Sequence, residues 1–291
     1  MKSIARGLAG LWPFRRILKS RHVEPAVAVV LRASPVRERV RFLAREVRPP
    51  KEPRTYRLRA GGASVLIRHG TPDVAALGEV FYERQYEPPE DVAAFLDELG
   101  RPPAVLDLGA NVGFFGAFVS RRFPEAELVA FEPDRANTIL LRRVAEENGW
   151  DWEVIEAAAA VEDGVVPFAS GRFTHSRIEE GGESVPAVDI MAFLDRSDFA
   201  KIDIEGAEWA ILGDSRFSSV APPVLVLEHH PYLSPGPDPR SAALRLLGGA
   251  GYELASALDL GLGQGLLWAL RREPQMSPAP NASLVGPDTT S

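Results

Sequence analysis

The chain has 291 residues and a net charge of −7; 45% of its residues are hydrophobic and 25% are charged, which is ordinary for a globular protein. It contains no cysteine, which excludes disulfides, thiolate metal sites and cysteine nucleophiles. No apolar run is long enough to span a membrane, and no apolar core follows the first basic residues as in a signal peptide. We therefore expect a cytoplasmic protein.

Positive charge is concentrated at the N-terminus. Residues 1–50 contain twelve Lys or Arg against three Asp or Glu, so residues 51–291 carry a net charge of −16. Proteins that act on nucleic acid usually present a basic domain, so the acidic body predicts that nucleic acid is not the substrate. The basic N-terminal arm is expected to contact an anionic surface or a partner.

Residues 1–53 are predicted to form a basic helical extension. Four apolar residues recur there at helical spacing, with arginines around them: Val36, Val40, Leu43 and Val47. Such a helix lies either on a membrane surface or on its own domain with a solvated arginine face. At the other end of the chain, residues 273–291 are rich in Pro, Ser and Thr and are predicted to be a disordered tail.

The main domain, residues 54–272, begins with a hairpin of residues 55–58 and 64–67 and a helix near 90–99. Further strands are predicted near 104–108, 127–131, 153–158, 199–204, 223–228, 252–256 and 265–270. Further helices are predicted near 113–123, 134–148, 190–196, 207–213 and 239–249. This alternation predicts an α/β fold with a mostly parallel sheet, covered by helices on both faces, that binds its ligand at the carboxyl ends of the strands.

A buried strand near 104–108 runs into a glycine turn and then a helix. The turn contains Gly109, Asn111 and Gly113, and glycine allows the backbone to approach a ligand closely because it has no Cβ atom. Glu132 ends the next strand, where a carboxylate can accept hydrogen bonds from ribose hydroxyls. Together the turn and the acid predict a site for a nucleoside cofactor.

The glycine spacing favours S-adenosylmethionine over a dinucleotide. Asn111 stands where the G-x-G-x-x-G fingerprint needs its second glycine. Asp107, just before the turn, suits the cationic amino-acid tail of S-adenosylmethionine and would repel a pyrophosphate. No lysine lies four residues after a tyrosine, so the catalytic pair of a short-chain dehydrogenase is missing. A nicotinamide oxidoreductase is therefore the less favoured alternative.

A second polar segment, Lys201 to Glu208, follows a later strand and turns at a glycine into a helix. Asp203 and Glu205 share a face if the strand continues that far. A lysine in an apolar strand is expected to form a salt bridge, for example to Glu205 or Glu228. Four acids are then expected along the carboxyl rim of the sheet: Asp107, Glu132, Asp203 and Glu228.

With these segments, residues 106–114, 131–133 and 201–208, the chain resembles the FkbM-type S-adenosylmethionine-dependent methyltransferases over residues 80–232. The resemblance implies a Rossmann-like, seven-stranded methyltransferase sheet, usually with an antiparallel last strand. It implies methyl transfer, most often to a hydroxyl of a sugar or secondary metabolite. It also implies site roles: Asp107, Gly109, Asn111 and Gly113 at the methionine end of the cofactor, Glu132 at the ribose, and Asp203 near the methyl group.

The resemblance does not identify a catalytic base. The candidates are Asp203, His175 and the adjacent His229 and His230, one of which the preceding Glu228 could orient. Asp203, Glu205, Glu228 and a histidine could supply ligands for Mg²⁺ or Mn²⁺, but no ligand spacing indicates a metal site, so none is expected. The sequence is interpreted as an O-methyltransferase acting on a hydroxyl of a small molecule, sugar or glycan. The alternative is a non-catalytic S-adenosylmethionine-binding or scaffold protein of the same fold.

Overall fold

The computed structural model describes residues 23–169, 177–178 and 182–271. The start of the basic arm, His175 and the predicted tail lie outside the described residues. Within the described part, no helix combines the length and the apolar composition that crossing a membrane would require.

Helices and strands alternate through most of the described chain. The helices are α1 (Val23–Arg32), α2 (Arg39–Val47), α3 (Asp73–Phe81), α4 (Glu90–Glu98), α5 (Phe114–Arg122), α6 (Arg135–Asn148), α7 (Met191–Asp195), α8 (Glu208–Gly213), α9 (Phe217–Val220) and α10 (Pro239–Gly249). The strands are β1 (Arg54–Arg57), β2 (Ser64–Ile67), β3 (Ala104–Leu108), β4 (Glu127–Phe131), β5 (Trp152–Ile155), β6 (Ala158–Ala160), β7 (Gly164–Ala169), β8 (Arg177–Ile178), β9 (Glu183–Asp189), β10 (Phe199–Ile202), β11 (Val224–His229), β12 (Glu253–Gly261) and β13 (Gln264–Leu270).

The main sheet has seven strands in the order β12-β13-β11-β10-β3-β4-β5. The four pairs from β11 to β5 are parallel, whereas β13 is antiparallel to both of its neighbours. The sheet is therefore mixed, which corrects the prediction of a mostly parallel sheet. The physical reason is the two-residue turn between β12 and β13, where Leu262 and Gly263 both have positive φ, as a tight hairpin turn requires.

Two apolar layers cover the two faces of this sheet, as predicted. Successive residues of a strand point to opposite faces, so Val105 belongs to one layer and Leu106 to the other. The first layer also contains residues of α2 to α6, and the second contains residues of α7 to α10. Helices on both faces leave the carboxyl ends of the central strands as the open edge.

The helix α2 packs on the domain through a different face from the predicted one. Val36 and Phe42 are fully buried in the first apolar layer, but Val40 is 83% and Val47 is 89% exposed. Phe42 determines this orientation because its ring contacts those of Tyr56 and His69, at centroid distances of 5.0 and 4.9 Å. Burial of the Phe42 ring therefore determines the packing face of α2 more strongly than the row of valines that predicted it.

Two features of the fold that border the cavity described below were not predicted. The helix α3 follows Thr71, whose hydroxyl accepts a hydrogen bond from the Asp73 amide. The predicted strand 153–158 is instead two strands, because β6 leaves the main sheet and joins a second sheet of order β6-β9-β7-β8. Both features matter for function because α3 and the small sheet contribute walls to the cavity described next.

Candidate active site

A cavity of about 440 Å³ opens at the carboxyl edge of the main sheet. The loops that follow β3, β4 and β10 line it, together with the end of β11, α3 and the small sheet. The charged side chains of its lining are six acids and two bases: Glu79, Glu83, Glu132, Asp203, Glu205, Glu228, Arg32 and Lys201. The position agrees with the predicted ligand edge, and the excess of acids favours cationic or hydroxyl-bearing ligands over polyanions.

The glycine turn after β3 forms one end of the cavity. Gly109 has φ of +83°, and a Cβ atom at this position would overlap the carbonyl oxygen of Asp203. The amides of Gly109 and Ala110 both donate to the carbonyl of Phe131, at 3.0 and 2.9 Å, which ties the turn to the end of β4. Asn111 lines the cavity with a positive φ of 49°, and its buried Oδ1 atom has no hydrogen-bond partner.

Gly113 has a packing role in the structure. Its φ of +88° starts α5, and an added Cβ atom would lie 2.8 Å from Leu141 and 3.1 Å from Trp152. It is not among the residues that line the cavity. The implied contact between Gly113 and the cofactor therefore has no support in this geometry, and the glycine serves helix–sheet packing instead.

Glu132 lies at the cavity end of β4 and is fixed by the glycine turn. Its Oε2 atom accepts a hydrogen bond from the Asn111 amide at 2.8 Å, and its Oε1 atom accepts one from the Asp134 amide at 2.9 Å. Burial raises the pKa of Glu132 to about 7, although these amides and the Asn137 side chain oppose the rise. The carboxylate is thus preorganised beside the turn and retains lone pairs for a ligand.

Asp107 lies behind Lys201 and does not itself line the cavity. Because β3 and β10 are neighbours in register, Lys201 lies directly opposite Asp107, and the Lys201 Nζ atom is 3.2 Å from Asp107 Oδ1. Nζ also donates to the Gly109 carbonyl at 3.0 Å and lies 3.4 Å from Asp203 Oδ2. Lys201 thus forms salt bridges, as predicted, but with Asp107 and Asp203 and not with the expected partners Glu205 or Glu228. The second oxygen of Asp107 is buried without a hydrogen-bond partner.

Three carboxylates converge in the cavity beyond the glycine turn: Asp203 after β10, whose carbonyl packs against Gly109, Glu79 of α3 and Glu228 of β11. Burial and the charge of Asp203 raise the pKa of Glu228, although His230 and Lys201 oppose the rise. Burial and the charge of Glu228 raise the pKa of Glu79 to about 7. The Tyr86 hydroxyl donates to Glu228 at 3.5 Å. Glu79 and Glu228 thus have raised proton affinity in a shared cavity, which is typical of functional sites.

The adjacent histidines do not line the cavity. His230 is 2% exposed, and Glu208 accepts from its amide at 2.9 Å and contacts its Nδ1 atom at 3.1 Å. Burial alone would lower the pKa of His230, but Glu208, Glu228 and Asp203 raise it to about 11. A histidine that already holds its proton at neutral pH cannot accept one.

His229 points away from the cavity, toward Gly265 of β13, where an added Cβ atom would lie 2.6 Å from its Nε2 atom. It is 3% exposed, and burial and the charge of His230 lower its pKa. The prediction that His229 or His230 is the base is therefore not supported by their positions. The alternation of residues along a strand explains this, since Glu228 faces the cavity and His229 must face the opposite side.

Asp203, Glu228 and His230 offer ligand atoms that all lie within 4.8 Å of one another and could hold a metal ion. The members of this cluster are among the possible ligands named from the sequence, which set them aside because residues from two strand ends have no characteristic spacing. Carboxylates of this kind suit Mg²⁺ or Mn²⁺, whereas His230 would have to release its proton to bind a metal ion.

Glu79 is the functional candidate that sequence reasoning missed. Its helix α3 follows Thr71-Pro72-Asp73, a sequence typical of a helix start, and this signal could have placed Glu79 on a helix before the first strand of the main sheet. That the helix reaches Glu228 depends on tertiary packing and has no local signal.

Comparison with known proteins gives one family and several solved structures of similar fold. The family model described as "Methyltransferase FkbM domain" matches residues 107–254, which is more than half of the chain. A search of the curated proteins gives no match. An FkbM methyltransferase from Methylobacillus flagellatus KT is 17% identical with a TM-score of 0.43; the match covers 85% of this chain but only 59% of that one.

Two further similar structures contain bound S-adenosylmethionine. The magnesium protoporphyrin IX methyltransferase from Synechocystis PCC 6803 is 16% identical with a TM-score of 0.39, and the match covers 63% of this chain and 77% of that one. Fibrillarin from Aeropyrum pernix is 12% identical with a TM-score of 0.38, with coverage of 58% and 67%. On the family match, the chain belongs to the FkbM family of S-adenosylmethionine-dependent methyltransferases.

Proposed function

We propose that the protein is an O-methyltransferase that transfers the methyl group of S-adenosylmethionine to a hydroxyl of a small molecule, sugar or glycan. The observation that carries this proposal is the division of one cavity into two ends. Glu132 and the glycine turn form one end, and the carboxylates of Glu79, Asp203 and Glu228 form the other. The proposal assigns the first end to the cofactor and the second to the methyl acceptor.

The groups at the first end fit the cofactor. Glu132 presents a fixed carboxylate to a ribose diol, and the positive φ of Gly109 places the backbone of the turn in the cavity wall. The buried Asn111 Oδ1 atom, in the cavity wall, lacks a donor, which a ligand ammonium group can supply. When bound, S-adenosylmethionine supplies a methyl group that is already activated by the positive charge of its sulfur.

The second end suits a polyhydroxylated acceptor. Carboxylate oxygens accept hydrogen bonds from hydroxyl groups, and the aromatic side chains of Tyr86, Phe115 and Phe168 line the same cavity and can cover apolar ring faces. Such contacts would hold the acceptor oxygen about 3 Å from the methyl carbon and in line with it.

An aliphatic hydroxyl must lose its proton as it attacks, and Glu228 is the proposed acceptor of that proton. Burial and the charge of Asp203 raise the pKa of Glu228, so it holds a proton better than an exposed glutamate does. The ion pair with Lys201, at 3.4 Å, orients the neighbouring carboxylate of Asp203. A positioned base contributes a factor of about 10²–10⁴ to the rate.

The non-catalytic alternative predicts cofactor binding without turnover. It leaves the buried carboxylates of the second end without a purpose, although holding several acids together in low dielectric costs stability. Perturbed acids in a cavity are expected of an enzyme and are unnecessary in a scaffold. The perturbed acids of the cavity therefore favour an enzyme over a scaffold.

The test combines binding with turnover. Calorimetry should give micromolar binding of S-adenosylmethionine and S-adenosylhomocysteine, and radiolabelled cofactor should transfer methyl groups to some members of a panel of sugars, glycans and hydroxylated metabolites. Glu228→Gln should lower kcat by about 10²–10⁴ while the cofactor Kd stays unchanged. Glu253→Gln, which removes an exposed acid on β12, is the matched control and should change neither value. Binding without transfer to any acceptor would favour the scaffold alternative.

A further inference from the structure

A second cavity, of about 480 Å³, lies on the other side of the end of α3. Val80 contributes to the walls of both cavities, so the two are neighbours separated by one turn of helix and the segment after it. Four arginines and one acid provide the charged side chains of its lining: Arg59, Arg84, Arg121, Arg122 and Glu87. The charge is opposite to that of the first cavity, in a chain whose net charge is −7.

Arg121 forms no ion pair with an acid in the described part of the chain. Its Nε atom is buried without a hydrogen-bond partner, and burial lowers its pKa. Its guanidinium carbon lies 5.7 Å from the centre of the Phe81 ring. Gly61 leaves the space in which this side chain lies, because a Cβ atom there would be 2.8 Å from Arg121 Nε. The side chain is therefore held in a slot rather than extended into solvent.

The other arginines differ in their partners. Arg84 pairs with Glu87 at 2.9 Å, and Arg122 pairs with Asp97 at 3.2 Å. Among the described residues, Arg59 and Arg121 form no ion pair with an acid. The charge of Glu87 opposes the lowering of the Arg121 pKa, but its ion pair is with Arg84, so the four arginines that line this cavity share one acid of its lining. Guanidinium groups match phosphate oxygens in geometry and charge.

The remaining wall is apolar. Leu58, Phe81 and Phe118 line the same space, which is large enough for an organic group as well as an anion. We propose that this second cavity binds a phosphate ester, with the phosphate at Arg59 and Arg121 and the organic group against the aromatic wall. The proposal concerns a site separate from the methyl-transfer cavity and does not depend on the identity of the methyl acceptor.

The test is calorimetric binding of phenyl phosphate and of inorganic pyrophosphate to the full chain. We expect saturable binding that weakens with salt. Arg121→Gln should weaken the binding of both probes about ten-fold or more. Arg59→Gln, at an exposed position, should weaken it as well and serves if the Arg121 variant does not fold. Arg245→Gln on α10 removes the same charge from an exposed position and should leave the affinity unchanged.

Two further measurements complete the test. S-adenosylhomocysteine should bind with the same affinity in the presence and absence of phenyl phosphate; competition would place the phosphate in the first cavity and overturn the proposal. Binding to vesicles of phosphatidic acid distinguishes a lipid headgroup from a soluble ester as the ligand. The proposed ligand is the soluble ester, so binding to the vesicles without binding of phenyl phosphate would overturn the proposal. No saturable binding of either soluble probe, or equal losses in the Arg121 and Arg245 variants, would also overturn it.

Discussion

The two ends that we propose for the cavity, one for the cofactor and one for the acceptor, are built in different ways. At the cofactor end, the glycine turn and Glu132 belong to consecutive strands, and the backbone of one holds the side chain of the other. At the acceptor end, Glu79, Asp203 and Glu228 come from elements far apart in sequence. The first end depends on local backbone geometry and the second on strand order and helix docking. Substitutions at the two ends should therefore have different effects on stability, cofactor binding and methyl transfer.

The largest effect is expected from Gly109→Ala. The added Cβ atom would overlap the Asp203 carbonyl, at a φ that side chains rarely adopt, so both the turn and the loop after β10 must move. We expect a loss of about 4 kcal/mol or more in the free energy of unfolding and loss of measurable cofactor binding. Urea unfolding and calorimetry test both expectations.

Gly248→Ala is the matched control for that change. Gly248 lies in the last turn of α10, where an added Cβ atom would meet nothing within 4 Å. The substitution should leave cofactor binding unchanged and alter stability by no more than about 1 kcal/mol, in the stabilising direction. Equal losses in the two variants would contradict the account of the glycine turn.

The next effect concerns Lys201, which joins the two ends through Asp107 and Asp203. Lys201→Met leaves Asp107 buried without its counter-charge, and breaking a buried pair in this way costs about 3–5 kcal/mol. The double variant Asp107→Asn with Lys201→Met removes both charges and should recover more than half of that loss. Urea unfolding at pH 7 tests this, and additive losses would contradict a direct pairing.

Local signals in the sequence account for the cofactor end and for most elements of the main sheet. The glycine turn, Glu132 and the helix starts follow from short-range chemistry and were predicted correctly in position. The pairing of Lys201 with Asp107 was not, because it depends on β3 and β10 being neighbours in register. The positions of His229 and Gly113 outside the cavity lining were not predicted for a related reason: strand alternation and helix packing determine which way each residue faces, and residue type alone does not.

A smaller effect, on cofactor affinity alone among the ligand-binding properties, is expected when pH changes the charge of Glu132. The pKa of Glu132 is raised by burial to about 7, from an ordinary value of 4.5, and ribose hydroxyls donate to its charged form. Cofactor affinity should therefore fall below pH 7, by about ten-fold per pH unit at most. Between pH 4.5 and 7 the folded chain holds a proton at Glu132 that the unfolded chain releases, so rising pH in this window lowers stability without cofactor.

Calorimetry with S-adenosylhomocysteine from pH 5.5 to 8.5 measures the affinity, and thermal unfolding with and without it measures the stability. Glu79→Gln is the control, because Glu79 also has a pKa near 7 but lies at the acceptor end. The variant should keep the pH dependence of cofactor affinity. A flat profile in the unchanged protein, or a profile lost in the Glu79 variant, would contradict the assignment of Glu132 to the ribose.

The smallest effect is expected from Tyr86→Phe, which probes the acceptor end alone. The Tyr86 hydroxyl donates to Glu228 over 3.5 Å, at the long limit of a hydrogen bond. Its loss should therefore raise the activation free energy of methyl transfer by about 1 kcal/mol. The ring still packs against Phe115, so the fold and the cofactor Kd should not change. Methyl transfer should slow by less than about ten-fold, because the variant alters the orientation of the proposed base without removing it. A changed cofactor Kd with normal transfer would show that the two ends are not separable in the way their construction indicates.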